Sequence, residues 1–159
     1  MWNFLAQGVV MAYANEEKPP AQRFWTDSWN GYPAARSRLM RQLNDNRVTN
    51  PIVLSGDIHA FVVSDLHLDP ANPETPRVAS ELVATSITSQ PTSKSILDRY
   101  HDYNPAVLLA EMAPRAAMCA SMSPVPRCVP TWSRWIRSRN APVPHECWLR
   151  LRPKPARAA

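Results

Sequence analysis

The chain has 159 residues and 45% hydrophobic content, ordinary for a globular protein, and no stretch approaches the roughly 18 to 20 apolar residues of a membrane span. Its N-terminus shows neither the basic leader nor the cleavage site of a signal peptide. Its three Cys, odd in number and without zinc spacing, define neither a disulfide framework nor a zinc site. The net charge of +5 averages two unlike parts: residues 1–113 hold 9 Lys+Arg and 12 Asp+Glu, whereas residues 114–159 hold 9 Lys+Arg and one acid, Glu146.

Residues 2–13 read as a strand whose apolar character comes from Phe4, Leu5, Val9, Val10 and Met11, with Gly8 allowing a close neighbour. A chain that opens in mid-strand is expected to continue something longer. Asn15 to Pro20 is a polar connection. Phe24 to Tyr32 packs four aromatic residues around a turn at Gly31, and two readings of it stand side by side. It is a packed aromatic loop with Asp27 and Asn30 in turn hydrogen bonds, or a rigid wall beside a pocket with Asp27, Trp29 and Tyr32 facing substrate.

Pro33 suits the first position of a helix, where its missing N–H costs nothing. The helix runs over Ala34–Asn46, with Ala35, Leu39, Met40 and Leu43 on one face. Arg36, Arg38 and Arg41 are expected on a solvated face, because acids outnumber bases in this part of the chain.

The most informative stretch is Asn50 to Val63. Ile52, Val53 and Leu54 form a continuous apolar run, the pattern of a strand covered on both faces. Gly56 then permits a sharp turn. Asp57 and His59 follow on that turn, and together they can aim a carboxylate oxygen and an imidazole nitrogen at one point beyond the strand's C-terminal edge. In open α/β sheets that edge is where ligands bind. Taken alone, the tetrapeptide also fits an Asp-capped turn beside an unremarkable His.

Ala60–Leu68 is expected as a strand antiparallel to the one before it, with His67 exposed. Residues 69–76 form a Pro-rich loop. Val78–Thr88 is a third strand that carries Glu81 and ends in the hydroxyl run Thr85 to Gln90, suited to turn hydrogen bonding. A short helix over Ser95–Tyr103 and a further stretch over Ala106–Met112 close the regular part.

Phe24 to Arg36, Asn50 to Phe61 and Ser86 to Gln90, in this order and at these separations, resemble the C-terminal half of the PhoD-like alkaline phosphatases, a family of the metallophosphoesterase superfamily. The resemblance spans residues 2–112. It implies an α/β fold, part of a metallophosphoesterase-type β-sandwich flanked by helices, and hydrolysis of phosphate monoesters and diesters at a site holding calcium and iron. Asp57 and His59 match the family's last metal motif and so inherit the ligand role; carboxylate and imidazole suit such ions. The family's other ligands, a Cys thiolate and carboxylates among them, belong to the half that precedes this region, and this sequence has no Cys before Cys119. The resemblance therefore implies an N-terminal half missing from this chain, and an inert fragment is the alternative to an active enzyme. Family members are typically exported from the cell.

Residues 114–159 depart from that pattern, with eight Pro, no Gly and no Asp. Met118-Cys119 and Met122-Ser123, read one base earlier, each encode Val, and with G or C at the free positions the shifted frame gives Val-Arg-Val-Asp-Val, an alternating strand. Residues from about 114 onward are accordingly expected to be irregular and translated out of frame. The competing reading is a basic tail that binds nucleic acid through Trp132, Trp135, Arg134, Arg137 and Arg139.

Overall fold

The structure, a computed structural model, describes residues 1–112 in full and, beyond them, the backbone of residues 117–120, 131–135 and 148–150. The chain divides into two compact units, Met1–Pro114 and Arg115–Ala159.

In the first unit, five strands form one mixed sheet: β1 (Asn3–Ala6), β2 (Pro51–Ser55), β3 (Phe61–His67), β4 (Arg77–Val83) and β5 (Val107–Glu111), in the spatial order β1-β2-β4-β3-β5. β1, β2 and β4 run parallel, with Leu5 opposite Val53 and Val53 opposite Glu81. β3 is antiparallel to both of its neighbours, β4 and β5. Two helices complete the unit, α1 (Pro33–Asp45) and α2 (Lys94–Tyr103), the latter packed on β5. The α/β class is thus as the sequence implies, and the central strands are buried on both faces.

The core gathers Met11, Val53, Val62, Leu66, Val78 and Val83 from the sheet and its N-terminal segment under Met40 of α1. Pro33 occupies the first turn of α1. At its other end Val48 N donates to the Leu43 carbonyl at 3.1 Å and Arg47 N to that of Asn44 at 3.0 Å. This is a Schellman closure, with Arg47 at φ 51° in the place glycine usually takes. Gly31, just before α1, leaves no room for a side chain: a Cβ there would lie 2.0 Å from the Thr26 carbonyl oxygen.

Four expectations are corrected. β3 does not pair with β2; β4 lies between them, because the Gly56–Ala60 turn carries the chain past one strand position and the parallel β2–β4 ladder fills the gap. β1 ends at Ala6, and the segment after it is irregular yet buried from Val10 to Ala12. Buried backbone groups need partners, and here side chains supply them: Glu81 accepts from Met11 N and Ala12 N, each at 2.7 Å, while Arg36 donates to the Met11 carbonyl and Asn30 to that of Ala12, each at 3.2 Å. Arg36 is therefore buried rather than solvated, whereas Arg38 and Arg41 are exposed as expected. His67 is half-buried, its Nδ1 donating to the Thr75 carbonyl at 2.8 Å.

In the second unit the described strands are β6 (Ala117–Ala120), β7 (Thr131–Trp135) and β8 (Trp148–Arg150), joined antiparallel in the order β6-β7-β8. The expectation of an irregular, out-of-frame tail falls largely on residues outside those described. So do Arg137 and Arg139 of the nucleic-acid reading; Trp132, Arg134 and Trp135 lie in β7. Among the described residues no helix is long and apolar enough to cross a membrane.

Candidate functional site

Parallel strands bring their C-terminal ends to one edge, so the segments that follow β1, β2 and β4 meet there. After β2 comes the turn with Asp57 and His59. Both residues adopt left-handed backbone, φ 76° at Asp57 and 50° at His59, while no glycine has positive φ. The turn's unusual conformation thus sits on the two candidate ligands and not on Gly56, as the sequence had implied. Backbone held in a sparsely populated region is characteristic of functional sites, and Asp tolerates it better than most residues.

His59 is half-buried and Asp57 exposed. The His59 Nδ1 lies 2.9 Å from the Gln90 carbonyl oxygen. A carbonyl oxygen only accepts, so Nδ1 carries the proton, and in the neutral ring Nε2 holds the free lone pair. This is the arrangement in which metal-ligating histidines are usually held. Gln90 belongs to the hydroxyl run after β4, where the Ser86 hydroxyl donates to the Ser89 carbonyl at 2.9 Å, the turn bonding its composition implies.

The aromatic stretch comes to the same edge. Asp27, Trp29 and Tyr32 line one open pocket of about 270 Å³ together with Val9, Ser28 and Ala35. Trp29 Nε1 donates to Gln7 Oε1 at 3.2 Å, and Gln7 Nε2 donates to Ser55 Oγ at 2.5 Å. Ser55 Oγ in turn donates to Glu81 Oε1 at 2.5 Å. A continuous relay therefore runs from the pocket wall to a fully buried carboxylate. Burial pushes the Glu81 pKa up, against the pull of the bonds from Ser55, Met11 and Ala12 and of the Arg36 charge. Burial likewise lowers the pKa of Arg36, with the Tyr13 and Glu81 charges opposing. Arg36 Nη1 donates to Asn30 Oδ1 at 2.9 Å, and the guanidinium lies 5.9 Å from the Tyr13 ring centre, a cation–π distance.

With His59 held on Gln90 and Trp29 linked to Ser55 through Gln7, the likeness to known proteins takes a definite form. The family model described as PhoD-like phosphatase matches residues 1–122. The chain belongs to the PhoD-like phosphatase family. It is 39% identical over 88 residues to alkaline phosphatase D of Bacillus subtilis (strain 168), a match that takes in 55% of this chain and 15% of that protein. A solved structure titled "Structure of PhoD" superposes with a TM-score of 0.66 at 32% identity, over 71% of this chain and 22% of that one. The matched parts amount to 15% and 22% of these PhoD-like relatives' own lengths.

Ligand chemistry and ligand number point in different directions. Asp57 and the His59 Nε2 are donors of the right kind for a PhoD-like metal centre. Yet among the described residues no three His, Cys, Asp or Glu side chains gather closely enough to hold an ion. The described residues therefore offer two donors of suitable chemistry and no third beside them.

Sequence reading missed the network beneath. Glu81 is an acid inside the otherwise apolar strand Val78–Val83, and an acid there has to be partnered. Arg36 stands at i, i+3, i+4 and i+7 spacing with Leu39, Met40 and Leu43, on the apolar face of α1. Both signals were present; neither names the partner.

Proposed function

We propose that this chain is the part of a PhoD-like phosphoester hydrolase that carries the closing metal donors, Asp57 and His59, and one wall of the substrate pocket, Asp27, Trp29 and Tyr32. The substrates are phosphate monoesters and diesters, and the ions are calcium and iron. When bound, such ions lower the pKa of a coordinated water and offset charge on the phosphoryl oxygens. The observation that carries this reading is the His59 ring, held through Nδ1 on the Gln90 carbonyl so that Nε2 keeps its lone pair at the C-terminal edge of the parallel strands.

A second reading is favoured by a specific observation. The described residues hold no cluster of three candidate ligands, which fits a catalytically inert fragment whose remaining donors lie elsewhere.

Hydrolysis of a chromogenic phosphomonoester and diester by the purified chain, with calcium and iron added, separates the two. Metal-dependent turnover lost in both Asp57→Ala and His59→Ala supports the enzyme. Turnover equal in all three chains, or absent from all three, leaves the inert fragment.

A further inference from the structure

The turn from Gly56 to Ala60 cannot hold its own shape. Its two left-handed residues, Asp57 and His59, sit in a region that non-glycine residues enter only at a cost. The bond that closes it from within is Ile58 N to the Gly56 carbonyl at 3.0 Å. Further bonds come from a segment more than 30 residues on in sequence: the Thr92 N–H donates to the His59 carbonyl at 3.3 Å, the Thr92 hydroxyl donates to the Ile58 carbonyl, and the Gln90 carbonyl accepts from His59 Nδ1 at 2.9 Å.

Between Gln90 and Thr92 stands Pro91. Its ring fixes its own φ and biases Gln90 toward extended backbone, so the two gripping residues are set at a defined spacing. Thr92 holds two successive carbonyls of the turn, while Gln90 holds the ring that projects from it. The Gln90 side chain is exposed and takes no part; its backbone does the work.

We propose that Thr92 is a positioning residue for His59: it latches the turn so that the ring meets the Gln90 carbonyl and keeps its lone pair on Nε2. Its importance for catalysis rests on the phosphatase reading above, but the latch is a property of the chain in any case. Without the hydroxyl the Ile58 carbonyl is freed, the turn relaxes, and the ring is no longer bound to a single acceptor.

The test is the His59 ring tautomer, read from long-range 1H–15N spectra of the uniformly labelled full chain at about pH 8, where an ordinary imidazole is neutral, with His59→Gln supplying the assignment. The unsubstituted chain is expected to show the Nδ1–H form. Thr92→Val, equal in size but lacking the hydroxyl, is expected to lower the ratio of Nδ1–H to Nε2–H about fivefold, the worth of one hydrogen bond. Thr92→Ser is expected to restore the ratio. An Nε2–H ring in the unsubstituted chain overturns the latch before any substitution is made. An unchanged ratio in Thr92→Val overturns it as well. A fixed Nδ1–H ring released by Thr92→Val, in a chain without metal-dependent hydrolysis, upholds the latch and removes the phosphatase reading alone.

Discussion

Asp57 holds backbone that glycine would adopt at no cost. Removing the carboxylate therefore has opposite effects on stability according to what replaces it. Asp57→Gly relieves the left-handed strain at φ 76°, offset in part by the greater freedom of glycine in the unfolded chain. Asp57→Ala keeps the strain and loses the tolerance that Asp shows for this region. Urea unfolding should rank the glycine variant at or above the parent and the alanine variant about 1 kcal/mol below the glycine variant. An alanine variant as stable as the glycine variant would mean that the turn is not strained.

At the level of elements, one carboxylate joins three of them. Glu81 on β4 accepts from Ser55 at the end of β2 and from Met11 and Ala12 of the irregular segment, and Ser55 passes the connection to Gln7 and Trp29. Glu81→Gln sets an amide N–H against a backbone N–H and should cost about 2–3 kcal/mol. The cost should depend on pH in a defined direction. Burial raises the native pKa of Glu81 above its unfolded value of about 4.3. Between the two values the native chain binds more protons than the unfolded one, so the stability contributed by Glu81 is full below about pH 4.3 and declines as pH rises through the native pKa. Gln does not titrate. Denaturation of both chains at several pH values should show the largest penalty in acid and a smaller one at neutrality. A penalty that grows toward neutral pH would mean that the hydrogen bonds outweigh burial.

For the molecule as a whole, the matched relatives are several times longer than this chain, and the sheet shows where apolar surface is left uncovered. β1 is an edge strand, paired on one side to β2. Phe4 and Leu54 lie on one face by register, Phe4 opposite Ile52 and Ala6 opposite Leu54, and they are 49% and 39% exposed. An exposed edge with apolar side chains invites pairing with another chain. Sedimentation of the purified chain should show concentration-dependent association, and Phe4→Lys should reduce it without lowering the unfolding free energy by more than about 0.5 kcal/mol. Equal association in both would place the contact away from this edge.

The sequence by itself determined the α/β class, both helices, the strand at β2 and the two candidate donors. These depend on signals that lie close together in the chain: a proline opening α1, a run of branched apolar residues, and an Asp and a His two positions apart on one turn. It also determined the family, because three short blocks in a fixed order carry more information than any one of them. Tertiary structure alone decided what those signals meet. β3 follows β2 directly in the chain, yet β4 takes the place beside β2, since ladder pairing depends on register and burial across the sheet. Arg36 and Glu81 were legible as charges in apolar surroundings, but their partners stand far off in sequence, at Met11, Ala12, Asn30 and Ser55. His59 shows the same division: its position was evident from its neighbours, whereas the nitrogen left free to bind was decided by the carbonyl of Gln90, a backbone atom that every residue possesses and no sequence pattern reveals.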